Sequence, residues 1–351
     1  MCHSIVTALP EFEHQVICFH DEKQTVKESF EGTPVIRCGV WKKLFSQSIS
    51  LSFYKELKRV ISAFDPDIVH FHTPNPLGSV YLLSLLPKKR ELIVHWHSDI
   101  IEQDFLHIFY RPIENRLLKR ANKVAVTSPT YIAGSKPLQF WRDKIRIIPN
   151  TVNEAKLQKQ AKDESAIAEI KQIYGGKKIV FTFGRHIPYK GLKYLVEAVP
   201  FISKNAVVVI AGTGPLSDSL QESAKHFPNV YFIGRLEENI LRQYLYAADI
   251  FAFPSITRNE AFGIALAEAM YCGLPAVTFT IPNSGVNWLC LKGETCLESE
   301  NGNAQALADE INKLIENENY RKRLGDNARK RVKDFFVISA IKEDLLKIIS
   351  T

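Results

Sequence analysis

Glu260-Ala261-Phe262-Gly263-Ile264-Ala265-Leu266-Ala267-Glu268-Ala269-Met270-Tyr271-Cys272-Gly273-Leu274-Pro275 is the run on which the fold turns. Residues 261–272 read as a buried helix, apolar nearly all round and stopped by the Gly and Pro that follow. Apolar β-type runs flank it at 250–253 and 275–279. Two carboxylates interrupt it, Glu260 at the opening and Glu268 two turns along. Eight residues are about 800° of helical rotation, so both are expected on nearly one side. A carboxylate among apolar neighbours needs a partner. Paired hydroxyls provide one: a sugar for one glutamate, a ribose diol for the other. The competing reading is two solvated glutamates on an amphipathic helix.

Outward from this run the pattern alternates. Strands are expected at 178–183, 207–211, 230–233, 250–253 and 275–279, with helices at 189–200, 216–226, 238–247 and 261–272 between them. The first half alternates likewise, with strands at 12–19, 34–40, 67–71, 91–95, 123–127 and 145–148. Its helices fall at 51–64, 77–86 and 104–120. Residues 151–173 are polar and read as a connection running into a helix. Two α/β domains with parallel sheets follow, 1–150 and 151–333, with a closing segment 334–351. A ligand is expected at the carboxyl ends of the strands, in a cleft that the two domains face.

Two further features gather in the second half. Phe183-Gly184-Arg185-His186-Ile187-Pro188-Tyr189-Lys190-Gly191 ends a strand in glycine and offers Arg and Lys just before a helix. Helix N-termini carry unpaired N–H groups and partial positive charge, so this loop suits a diphosphate; an ordinary basic loop is the plainer reading. Ala211-Gly212-Thr213-Gly214-Pro215 lets backbone approach a ligand, or is a plain strand–helix turn.

The 351 residues carry a net charge of +7. Residues 1–150 hold 20 Lys and Arg against 15 Asp and Glu, about +5 of that excess. This suits an anionic partner: a nucleotide, a phosphate-linked acceptor or a membrane surface. It is too mild for nucleic acid, and no nucleic-acid motif accompanies it. The six cysteines show no ligand spacing and read as reduced thiols of a cytoplasmic protein. Phe105, Phe109 and Tyr110 with Arg111, Arg116, Lys119 and Arg120 give the 104–120 helix an aromatic and basic character that fits anionic lipid, or simple domain packing.

G-R-x-x-x-Y-K-G (184–191), A-G-x-G-P (211–215), A-A-D-I-F-A-F-P-S (247–255) and the 260–275 run together resemble, in order and spacing, the C-terminal half of retaining GT-B glycosyltransferases of family GT4. The resemblance implies two Rossmann-like domains. It implies that Arg185 and Lys190, beside Gly184, hold the donor diphosphate and steady the leaving group. Glu268 would hold the ribose, and Glu260 the transferred sugar, with backbone N–H groups across Ala261, Phe262, Gly263 and Ile264. Gly214 would approach the donor, and Gly234, Arg235 and Leu236 would lie beside the base. Val94-His95-Trp96-His97 resembles the segment whose last histidine faces the donor sugar, which assigns His97. His70 and His72 share one strand face, and His72 is the one nearer the strand end. The implied reaction moves a sugar from a nucleoside diphosphate to a glycan or lipid-linked acceptor with retention and without a metal or other cofactor. Residues 280–299 resemble a subgroup of bacterial surface polysaccharide assembly, and the 104–120 helix is the segment expected to make any peripheral contact with the inner membrane.

The first domain reads as N-terminally incomplete beside the family. A strand and glycine-rich loop are expected before 12–19, and the strand would lie between 12–19 and 67–71. An internal methionine start, a degraded copy and a different fold of this region compete as explanations. Two other functions stand beside the transferase: a truncated, non-catalytic nucleotide-sugar-binding remnant, and a nucleotide-sugar epimerase.

Overall fold

The computed structural model describes residues 1–44, 47–100 and 104–350, with side chains for all of these but 43, 44, 47 and 104–108. Phe105 therefore lies outside the described side chains. The chain forms two compact units, Met1–Ile148 with Lys342–Thr351, and Pro149–Ile341. The division falls two residues before the expected 150/151 boundary, and the return to the first unit begins at 342 rather than 334.

In the first unit, β1 (Val16–His20), β2 (Val26–Phe30) and β3 (Thr33–Gly39) form a sheet in the order β1-β3-β2. β1 and β3 run parallel, β2 and β3 antiparallel. The β2–β3 hairpin was not expected. All five β2 residues are exposed, so no buried alternation marks the strand. The Glu31–Gly32 turn puts both residues at positive φ, 49° and 82°, a conformation that Asn-Gly announces more clearly than Glu-Gly. A short hairpin, β4 (Lys42–Leu44) and β5 (Gln47–Ile49), follows. Then β6 (Ile68–Thr73), β7 (Glu91–Trp96), β8 (Lys123–Val126) and β9 (Ile145–Ile147) make a parallel sheet in chain order. Among the described residues no strand joins β1 to β6. A cavity of about 210 Å³ lies there, lined by Val16 and Ile17 of β1, Phe71 of β6, and Leu57 and Ile61 of the helix Leu51–Ala63. The last helix returns to this unit: Lys123 Nζ donates to the Ile348 carbonyl at 2.8 Å.

The second unit is one parallel sheet: β10 (Lys178–Phe183), β11 (Ala206–Ala211), β12 (Val230–Phe232), β13 (Ile250–Phe253), β14 (Ala276–Phe279) and β15 (Cys296–Ser299). The order is β12-β11-β10-β13-β14-β15. Every residue of β11, β13 and β14 is buried, as strands covered by helices on both faces must be. The chain winds outward from β10 in one direction and then, from β13, in the other. β10 and β13 thus flank the switch point, where open α/β sheets leave a crevice beyond the strand ends.

Two helices start later than the sequence suggests. The 189–200 helix is a 3₁₀ turn, Pro188–Lys190, then a helix over Leu192–Ala198. Gly191 divides them at φ 61°, and a Cβ there would meet the Pro254 carbonyl oxygen at 2.0 Å. The 261–272 helix runs only over Ile264–Tyr271, capped by Gly263 at φ 94°. Glu260 therefore lies in the preceding loop, and the helical-rotation argument for the glutamate pair does not hold. No described helix is long and apolar enough to cross a membrane.

Candidate functional site

The segments leaving β10 and β13 carry the chemistry. After β13 come Pro254 and Ser255, and the Ile256 amide donates to the Tyr189 carbonyl at 3.0 Å. With the close pass of Gly191 over Pro254, this locks the basic loop onto the β13 exit. Lys190 consequently reaches Glu260: its ammonium donates to Glu260 Oε2, which also accepts from Ser255 Oγ at 3.2 Å. Both partners are largely buried, and the Lys190 ammonium sits 5.3 Å from the Phe253 ring centre.

Glu260 is also held by its backbone. Ser284 Oγ donates to the Glu260 carbonyl at 2.5 Å, and the Gly285 amide donates to the Ala261 carbonyl at 3.1 Å. The helix Ile264–Tyr271 then begins. Among the described residues no protein acceptor takes the amides of Phe262, Gly263 or Ile264. Unpaired N–H groups at a helix start bind anionic oxygens. Glu268, about one turn into that helix, is half-buried and has no protein partner for its carboxyl among the described residues. Burial pushes that carboxyl up to about 7, against a pull from Lys156.

A cavity of about 530 Å³ adjoins, lined by Phe183, Gly184, Arg185, Gly212, Arg235 and Leu236 among others. Arg185 and Arg235 are exposed, and their guanidinium groups have no protein partner among the described residues. Gly214 does not line it: a Cβ there would lie 2.5 Å from the His186 carbonyl, and its amide donates to Ser217 Oγ at 2.9 Å. Its smallness serves packing between the two loops. His97 belongs to the first unit, just past β7. Its amide donates to the Thr73 carbonyl at 3.2 Å, and its Nε2 lies 2.8 Å from His72 Nδ1.

The second unit thus brings together Gly184, Arg185, Lys190, Glu260, Ala261, Phe262, Gly263 and Glu268 beyond the carboxyl ends of the central strands β10 and β13. Sequence reasoning missed Ser284 and Gly285 as the backbone holders of Glu260. It also missed the buried pair of Arg242 with Asp163, at 2.8 and 3.0 Å. That pair fixes the helix Asp163–Ile173 to Glu238–Ala247, and the guanidinium holds the Asp163 carboxyl well below the usual range. No local signal marks partners 79 residues apart.

Two Rossmann-like parallel-sheet units, with cationic and acidic groups at a switch point, define a glycosyltransferase of the GT-B class. Residues 163–331 match "Glycosyl transferases group 1" and residues 1–156 match "Glycosyltransferase Family 4". The chain is 31% identical over 310 residues to the D-rhamnosyltransferase WbpZ of Pseudomonas aeruginosa, covering 88% of this chain and 79% of the relative. It is 29% identical over 339 residues to the O-antigen chain mannosyltransferase C of Escherichia coli, covering 96% and 88%. In fold it is similar to the sucrose-phosphate synthase of Thermosynechococcus elongatus, with TM-score 0.80, 21% identity and 99% and 92% of the two chains covered. Anabaena HepE in complex with UDP and glucose gives TM-score 0.76 at 18% identity, covering 96% and 99%. The chain belongs to glycosyltransferase family 4.

Proposed function

We propose that this glycosyltransferase moves a manno-configured hexosyl group from a nucleoside diphosphate to a growing bacterial surface polysaccharide or its lipid-linked precursor, with retention. One observation carries the donor half of this reading. Lys190, Ser255 and Glu260 meet in the loop that leads to the unpaired amides of Phe262 and Gly263, while Glu268 stands unpartnered about one turn into the helix that follows. The sugar class is supported by the names of the mannosyl- and D-rhamnosyltransferase relatives, since D-rhamnose is 6-deoxymannose.

The roles follow from charge. The diphosphate competes with Glu260 for the Lys190 ammonium, and Arg185 closes on it as a planar fork. As the bond from anomeric carbon to phosphate oxygen breaks, negative charge grows on the leaving phosphate. Arg185, Lys190 and the helix-start amides stabilise that charge without a metal or other cofactor. Glu260 accepts hydrogen bonds from sugar hydroxyls, and Glu268 from the ribose diol. The acceptor hydroxyl attacks the face that the diphosphate leaves, which gives retention.

The acceptor side is supported by a surface of the first unit. Arg111, Arg116, Lys119 and Lys136 line a cavity of about 400 Å³ with Phe140 and Trp141. Phe140 is 78% exposed and Phe109 is 67% exposed. Bases interleaved with exposed aromatics suit anionic lipid, which supports the reading that the enzyme works at the cytoplasmic face of the inner membrane beside a lipid-linked acceptor. Isothermal titration with nucleoside diphosphates and their sugars tests the donor reading. Micromolar binding that Arg185→Ala and Lys190→Ala each weaken at least about tenfold is expected; undiminished binding in both variants would remove it.

A further inference from the structure

The turn that follows β14 grips the site loop by its backbone. Asn283, at φ 58°, stands in a turn in which the Ser284 amide donates to the Ile281 carbonyl at 3.2 Å. Asn287 ties this turn to the strand: its Oδ1 accepts from the Ile281 amide at 2.8 Å, and its Nδ2 donates to the Phe279 carbonyl at 3.2 Å. Arg331 holds the far end, donating to the Leu289 and Trp288 carbonyls at 2.8 and 2.7 Å. Ser284 is buried on this braced segment. A carbonyl oxygen can only accept, so the one proton of the Ser284 hydroxyl goes to Glu260, and a lone pair of Oγ takes the Val286 amide at 3.2 Å.

A trans peptide is planar, and its C=O and N–H point in opposite directions. Ser284 fixes the Glu260 carbonyl, and the Gly285 amide fixes the Ala261 carbonyl. The N–H groups of those two peptide units belong to Ala261 and Phe262, so both point away from the 284–285 turn. Neither has a protein acceptor among the described residues. Both residues are buried, and a buried N–H group calls for an acceptor. The Gly263 carbonyl accepts from the Ala267 amide at 3.0 Å, which in the same way directs the Ile264 N–H out of the helix start. Successive N–H groups aimed to one side make a concavity for an anionic oxygen.

We propose that Ser284 is a positioning residue: by holding the Glu260 carbonyl it aims the Ala261 and Phe262 amides at an oxygen of the donor diphosphate, where they stabilise the charge that grows as the sugar leaves. This rests on the donor reading above. The test is ¹H–¹⁵N NMR of the full chain labelled with ¹⁵N-phenylalanine and titrated with a nucleoside diphosphate, alongside steady-state kinetics. Phe262→Tyr identifies the Phe262 signal. In wild type the Phe262 amide proton is expected to move downfield on binding. Ser284→Ala should shrink that movement and lower kcat about tenfold or more with little change in donor KM, because the extra charge exists only in the transition state. Ser284→Thr keeps the hydroxyl and should restore the movement and most of kcat. If Ser284→Ala does not fold, Ser284→Cys, whose thiol donates weakly, takes its place with the same two readouts. Wild type that binds the nucleotide without any movement of the Phe262 signal, or a Ser284→Ala enzyme with unchanged kcat, overturns the proposal and leaves the donor reading standing. Wild type that binds no nucleoside diphosphate removes the donor reading, and the proposal with it.

Discussion

Glu268 ties the site to pH. Its carboxyl titrates near 7 in the folded protein instead of near 4.5, chiefly because burial disfavours the charge. A folded-state value above the unfolded one means that stability is full below pH 4.5, falls as pH rises toward 7, and stays lowered above it. Glu268→Gln should therefore stabilise the unliganded protein at pH 8 by about 3 kcal/mol and leave it unchanged at pH 4, which thermal melts at the two pH values would read. The same variant should weaken donor binding at pH 8, because the amide accepts fewer hydrogen bonds from the ribose diol; equal binding would take the ribose away from Glu268. Wild-type affinity should fall as pH drops below 7. Glu260→Gln breaks the contact with Lys190 and should lower kcat about 10²-fold or more while the fold persists. The contact of Lys190 with Glu260 joins two charges that the sequence marks by setting them in a glycine-rich and an apolar run. Ser284 and the Asp163–Arg242 pair were not legible there, since their partners are fixed only by tertiary packing. Asp163→Asn should cost about 3 kcal/mol, seen in chemical denaturation, by leaving a buried guanidinium without its counter-charge.

Loops rather than helices set the site, and the alternation of strands and helices could place them but not shape them. The 261–272 run is apolar throughout, so its periodicity could not reveal that Gly263 delays the helix to Ile264. Gly191 holds the basic loop against Pro254 in a left-handed conformation. Gly191→Ala adds strain of about 1 kcal/mol from backbone conformation alone, and more from the collision with Pro254. The expected outcome is a lower Tm together with weaker nucleotide binding, since Lys190 is displaced from Glu260; wild-type affinity in a folded variant would show that the loop does not position Lys190. On the first unit, replacing Lys119 and Lys136 by Glu and Phe140 by Ser should abolish sedimentation with vesicles containing anionic phosphatidylglycerol. Neutral phosphatidylcholine vesicles should bind neither protein. Retained binding to the anionic vesicles would dismiss the membrane-facing surface.

At the scale of the molecule, the parallel sheets were legible because their strands are short, largely apolar and mostly separated by helices. The strand order was not, since nothing local tells the chain to turn from β12 back past β10 to β13. That reversal creates the switch point at which the loops of β10 and β13 meet. The β2–β3 hairpin escaped notice because its outer strand buries nothing. Family membership and the GT-B architecture make the chain a glycosyltransferase; that its donor is a nucleoside-diphosphate sugar is what we propose. Incubating the protein with α-linked nucleoside-diphosphate mannose and a lipid-linked saccharide acceptor, and reading the anomeric configuration of the new bond by ¹H–¹³C NMR, tests this most directly. An α-mannosidic product that disappears in Glu260→Gln is the predicted result; a β-linked product, or a donor bound and released without any transfer, would contradict the account.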